Sequence, residues 1–180
     1  MIDVRDVQAK LDRGNRILFN QNSDCLQPLI VRMNQTGRRH RVLWAFRLAE
    51  EIVCQLTLRY PADDRPRNGL NMATAWARGD IKMGQARQGI LAVHRMAKEW
   101  TSPEDIALAH ALGQGLSTVH VAAHAIGLPM YELSALVYRH GLPKAEPLIE
   151  VRLGHYEHVL DEVLLIDPDT LTWAKFLRKL

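Results

Sequence analysis

Apolar positions recur three and four residues apart along almost the whole chain, which is the spacing of amphipathic helices. Val4, Val7 and Leu11 mark a short polar helix over 3–12, broken by Gly14 and Asn15. Ser23 reads as the cap of a second helix running from Asp24 toward Asn34, with Pro28 near its first turn, and Gly37 ends that unit. A long helix follows from Arg38 to about Tyr60. Leu43, Phe46, Ala49, Val53 and Leu56 repeat along it, Trp44 and Leu48 widen the apolar face, and Pro61 stops it. Asp63 and Asp64 then supply caps and favourable charge for the next helix, and Pro66 presets its first turn. Leu70, Ala73, Trp76 and Ala77 form its apolar side, and Gly79 follows Arg78 as a terminating glycine should. A further helix from about Gly84 to Trp100 turns Ala86, Ile90, Val93 and Ala97 inward, with His94 beside Ile90.

The stretch from Ser102 to Ile126 differs from the rest, because both of its faces read as buried. Ser102 caps it, Pro103 suits the first position, and Asp105 completes a capping-box-like pair. Leu108, Leu112, Val119, Ala123 and Ile126 line one face, while Ile106, His110, Gly113, Ser117, His120, Val121 and His124 lie on or beside the other. A helix apolar or small on both sides belongs inside a bundle. Beyond it, Tyr131, Leu133, Leu136 and Val137 predict a helix ended by Gly141 and Pro143. Pro147 opens an amphipathic helix bearing Ile149, Leu153, Tyr156, Leu160 and Val163. Asp167 to Thr170 form a turn and cap before a last short helix with Leu171, Ala174, Phe176 and Leu177, its end carrying Lys175, Arg178 and Lys179. No alternating run is long enough for a strand, and no repeat of fixed period is present. The prediction is an all-α single domain over 1–180, a bundle of about eight or nine helices around a buried central helix near 102–126.

Composition narrows the partners. The 180 residues are 47% hydrophobic and 24% charged, ordinary for a globular chain. A net charge of +3 is too small to make nucleic acid the expected partner. The densest basic run, Arg38-Arg39-His40-Arg41, reads either as a solvated charged turn or as a partner-binding patch. Cys25 and Cys54 make no disulfide framework and read as reduced, half-buried residues. The acidic N-terminal segment is unlike a signal peptide, and no apolar stretch approaches the roughly 20 residues of a membrane span. A cytoplasmic location is expected, and the sequence leaves the oligomeric state open.

His120 and His124 are the sharpest chemical signal. At i and i+4 of a helix they would share one face, close enough to share a metal. His110 would project from nearly the same face, roughly 15–20 Å away along the axis. HVAAH lacks the glutamate of the HExxH metalloprotease helix, so a third ligand would come from another helix, His94 or an acid. The other reading is that these histidines are buried and hydrogen-bonded across a tight helix pair that Gly113 and Ser117 allow. Asp63 and Asp64 could be paired acids for general acid–base work, or capping acids paired locally with Arg65 or Arg67. Trp44, Trp76 and Trp100 read as core aromatics. Arg152, His155 and His158 form no motif with a name. No phosphate-cradling glycine loop or nucleophile–base spacing is present, no catalytic residue is assigned and no cofactor is expected.

An ordered set of motifs carries a resemblance. It comprises Asp63-Asp64-Arg65-Pro66, Ala75-Trp76-Ala77-Arg78-Gly79-Asp80-Ile81, Ala86-Arg87, Ala92 and His94, followed by Gly113-Gln114, Thr118-Val119-His120-Val121, His124-Ala125 and Tyr131. Together these resemble the immunity-five-like family of immunity proteins in bacterial polymorphic toxin systems. The similarity runs from about His40 to Tyr131, within a family-like core over 38–140, with 141–180 as a C-terminal helical extension packed on it. The resemblance implies a non-catalytic protein that binds and neutralises a cognate toxin. The acidic clusters available for such a partner are Asp63/Asp64 and Asp161/Glu162 with Asp167/Asp169. The alternative is a metal-binding enzyme or sensor using His120 and His124.

Overall fold

A computed structural model describes residues 5–178. Val4 and Lys179, named above, lie outside the described residues. Among those described there are nine α-helices and no strand, in agreement with the all-α prediction. They are α1 (Arg5–Asp12), α2 (Gln27–Gln35), α3 (Arg38–Arg59), α4 (Arg65–Arg78), α5 (Met83–Glu99), α6 (Pro103–Ser117), α7 (Gly127–His140), α8 (Leu142–Leu164) and α9 (Lys175–Arg178). Short 3-10 turns occupy Asp24–Leu26, Ala122–Ile126 and Pro168–Thr170.

α6 is the axle. It packs against α3, α4, α5 and α7, and Ala107, Leu108, Ala109, Ala111, Leu112 and Leu116 are buried around its circumference. Its start follows the sequence: Pro103 sits in the first turn, and the Ser102 hydroxyl accepts the Asp105 N–H at 3.3 Å. Small residues let neighbours close in. A Cβ on Gly115 would lie 2.9 Å from Leu128 Cδ1, so the glycine leaves room for this α7 side chain to pack against the α6 backbone.

The central helix is shorter than its pattern implies. It ends at Ser117 rather than continuing to Ile126. The Ser117 hydroxyl turns back to donate to Gly113 O at 2.7 Å, and Thr118 Oγ1 donates to Gln114 O at 3.2 Å. Arg38 then donates to the carbonyls of Val119 and His120, both at 2.9 Å. The guanidinium thus satisfies carbonyls in the non-helical stretch that follows α6. Val119 is still buried, but Ala123, placed on the buried face by the pattern, is exposed.

Other boundaries also move. Ser23 does not cap with its side chain; its hydroxyl accepts the Asn20 N–H, and α2 proper begins at Gln27. Gly37 ends one unit by capping the next, at the start of α3. α8 begins at Leu142, so Pro147 lies inside it rather than opening it. Proline there removes only the bond to Pro143 O, in the first turn, so the interruption stays at the helix end. The last helix begins at Lys175, and Leu171 is an exposed residue before it. Cys25 is partly buried, its thiol pushed up to about 11 chiefly by burial, whereas Cys54 is exposed rather than half-buried. No helix among the described residues is long and apolar enough to cross a membrane.

A second, smaller core lies under the C-terminal segment. Val42, Trp76, Ala77, Ala86, Val119, Trp173 and Leu177 pack there. Gly79, at φ 89°, ends α4 in the left-handed conformation and lets the Ala174 backbone approach. Ala174 N then donates to Ala77 O at 2.8 Å.

Candidate functional site

Three of the histidines named from the sequence, His94, His110 and His124, line the seams between α5, α6, α7 and the 122–126 turn. The Cε1 edge of His94 presses against α6 because residue 113 is glycine. A Cβ there would stand 2.7 Å from His94 Nε2 and 2.8 Å from Nδ1. The His110 ring centroid is 5.9 Å from that of His94 and 5.0 Å from that of Tyr131. His124 Nδ1 is 2.7 Å from Gln114 Oε1; the amide oxygen accepts, so Nδ1 carries the proton. Burial lowers the pKa of all three. Neighbouring His110 and His124 add to this at His94, Arg16 adds to it at His110, and His120 adds to it at His124.

His120 belongs to a different environment. It is exposed and stacks on Trp76, with centroids 6.0 Å apart. Because the helix has ended at Ser117, His120 and His124 are not successive turns of one helical face, and the i,i+4 premise of a shared metal fails. Among the described residues, no cluster of three or more His, Cys, Asp or Glu is placed to hold a metal ion.

Asp63 and Asp64 do not act as a pair. The Asp63 carboxylate accepts from Arg65 Nε at 2.9 and 3.1 Å, from an Arg65 terminal nitrogen at 2.7 Å, and from the Arg65 N–H at 3.1 Å. The Arg65 guanidinium holds this carboxyl below the usual aspartate range, which suits a structural carboxylate rather than a proton donor. Asp64 is exposed and makes no side-chain cap. Arg67 pairs instead with Glu50, at 2.6 Å. Pro66 is buried in the first turn of α4, and exposed Arg78 pairs with Asp80 at 3.3 Å.

The basic run at the start of α3 is neither a solvated turn nor an open patch; it fastens three segments. Arg38 holds the end of α6 and lies 5.5 Å from the Phe176 ring centroid. Arg39 pairs with Asp169 at 2.6 Å, His40 Nε2 lies 3.0 Å from Ile166 O, and Arg41 donates to Thr36 O at 2.8 Å.

Sequence reasoning missed the most deeply buried charge. Glu132 on α7 is 4% exposed. It accepts from Arg152 at 2.7 Å and from the Tyr156 hydroxyl at 2.8 Å. Arg152 also donates to Glu51 at 2.7 Å, and His155 Nε2 is 2.8 Å from the other Glu51 oxygen. Burial pushes the Glu132 carboxyl up against the opposing pull of Arg152 and Tyr156. Burial also works against the Arg152 charge, but Glu132, Tyr156 and Glu51 outweigh it and hold the guanidinium firmly protonated. The one available signal was a glutamate at a buried phase of α7, with an arginine and a histidine three residues apart on α8.

Every arginine of α2, α3, α4 and α8 bonds to a carboxylate or a backbone carbonyl. The chain is thus an all-α bundle whose helices are cross-braced by their own charges around a small-residue axle. The sequence profile described as "Imm-5 like putative immunity protein" matches residues 32–160, from α2 into α8 and more than two thirds of the chain. The protein belongs to this immunity-protein family. No curated protein and no solved structure matches the chain.

Proposed function

We propose that this protein binds a cognate bacterial toxin and neutralises it by occupying the toxin's surface, without catalysis. Family membership over residues 32–160 carries this reading. The architecture supports it, since a tight inhibitor benefits from a surface ordered before binding, which lowers the entropy lost on association. The ion pairs linking α2 to α8, α3 to α8, and α3 to α4 provide such order.

Most carboxylates of the acidic clusters considered above are already engaged within the chain. Asp63 pairs with Arg65, Asp161 with Arg32, Glu162 with Arg47, and Asp169 with Arg39. A toxin therefore meets mixed, locally balanced charge there rather than a wholly acidic face.

The test is co-expression with a candidate cognate toxin from the same organism. The expected result is survival of the host together with a complex that copurifies through size exclusion. Death of the host at matched expression, with no complex recovered, overturns the proposal.

A further inference from the structure

A cleft of about 760 Å³ opens between the 14–16 loop, α5, the first half of α6, and the end of α7. Its volume falls within the roughly 300–1,000 Å³ of small-ligand sites. Its lining is asymmetric in charge. Arg16 and Lys98 stand at it, His94 and His110 line it, and no Asp or Glu of the described residues does. Arg16 and Lys98 form no ion pair with any described residue, so both charges stay open to an incoming anion. The remaining wall is apolar, with Trp100 its largest member, itself stacked on Tyr60 at 4.3 Å between centroids.

The cleft is also held open in a fixed form. Gly14, at φ 71°, turns the chain after α1, and Asn15 N donates to Lys10 O at 3.0 Å. The Tyr138 hydroxyl donates to Asn15 O at 2.8 Å, tying the residue next to Arg16 onto α7. His94 is fixed by its seat on Gly113, and His110 by Tyr131. Two cations and two imidazoles beside an apolar wall, the imidazoles held by their packing, make a receptor for a group that is anionic at one end and flat and apolar at the other.

We infer that this cleft binds an aromatic carboxylate, its carboxylate between Arg16 and Lys98 and its ring against Trp100. The chemistry is the same whether the carboxylate belongs to a free acid or to an acidic side chain beside an aromatic one in a peptide. The inference stands independently of toxin neutralisation.

Isothermal titration of the full chain with 2-naphthoate, with 2-naphthamide, and with an end-blocked Phe-Glu-Phe tripeptide tests it. Saturable binding of naphthoate is expected, with the neutral amide at least about tenfold weaker. Arg16→Glu with Lys98→Glu should weaken naphthoate by at least about tenfold, while circular dichroism stays that of the parent, since both side chains are exposed. Binding of the tripeptide as well assigns the source to polypeptide, and binding of naphthoate alone assigns it to a small molecule. No saturable binding of either acid, equal binding of the amide, or affinity unchanged in the double variant overturns the inference. So does a naphthoate complex in which the ring resonances of His94 and His110 do not move.

Discussion

Single atoms decide much of this structure. Gly113 is the clearest case, because the His94 ring occupies the space a methyl group would need. Gly113→Ala should lower unfolding stability by about 1–3 kcal/mol, the cost of overpacking a filled site, and urea unfolding measures it. A glutamate as deeply buried as Glu132 is tolerated only with its partners. Glu132→Ala leaves Arg152 without its most buried counter-charge and should cost about 3–5 kcal/mol in the same assay. The histidines add a dependence on pH. His94 faces His110 and His124; His110 faces Arg16 and Tyr131; His124 faces His120 and Gln114. All three have folded pKa values below the 6.5 of an unperturbed histidine. Above that value both states are neutral and the full stability is present. As pH falls below it, the unfolded chain takes up protons the folded chain resists, so stability is lost down through the folded pKa values. The urea midpoint should therefore drop between about pH 7.5 and about pH 5.5, and drop less when all three are glutamine. Equal slopes in parent and variant would remove these histidines as the cause.

The helices themselves were legible because they carry local signals: an apolar stripe in most, and in several a proline in the first turn or a glycine at the end. Ser102-Pro103 and Gly79 act in the structure as their residue types dictate. The end of α6 was not legible, since residues 116–126 contain neither proline nor glycine and continue the helical pattern. Beyond its end, Arg38, eighty-one residues upstream of Val119, holds the carbonyls of Val119 and His120. The same limit hid the site. Spacing put His120 and His124 on one face, while the fold sends one to Trp76 and the other to Gln114. It also brought His94 to His110, a proximity that only the packing of α5 on α6 creates. If Arg38 is the clasp, Arg38→Ala should speed amide exchange in 118–126 and 173–178 while α7 and α8 stay protected, and lower stability by about 1–3 kcal/mol. Uniform exchange throughout would show instead that these segments fold as one unit with the rest.

At the scale of the molecule, charges that seemed available for partners turn out to fasten helices to one another. The basic run of α3 and the acidic ends of α8 and the 167–170 turn are two sides of the same bracing. Such a body is compatible with the proposed neutralisation by stoichiometric contact, whereas an enzyme would inactivate its target at substoichiometric amounts. The most direct test is titration of the cognate toxin's activity with purified protein. Inhibition is expected to be complete at one equivalent and reversed when the complex is denatured and the toxin refolded alone. Inactivation of many equivalents of toxin by one of this protein, or no loss of toxin activity at any ratio, would contradict it.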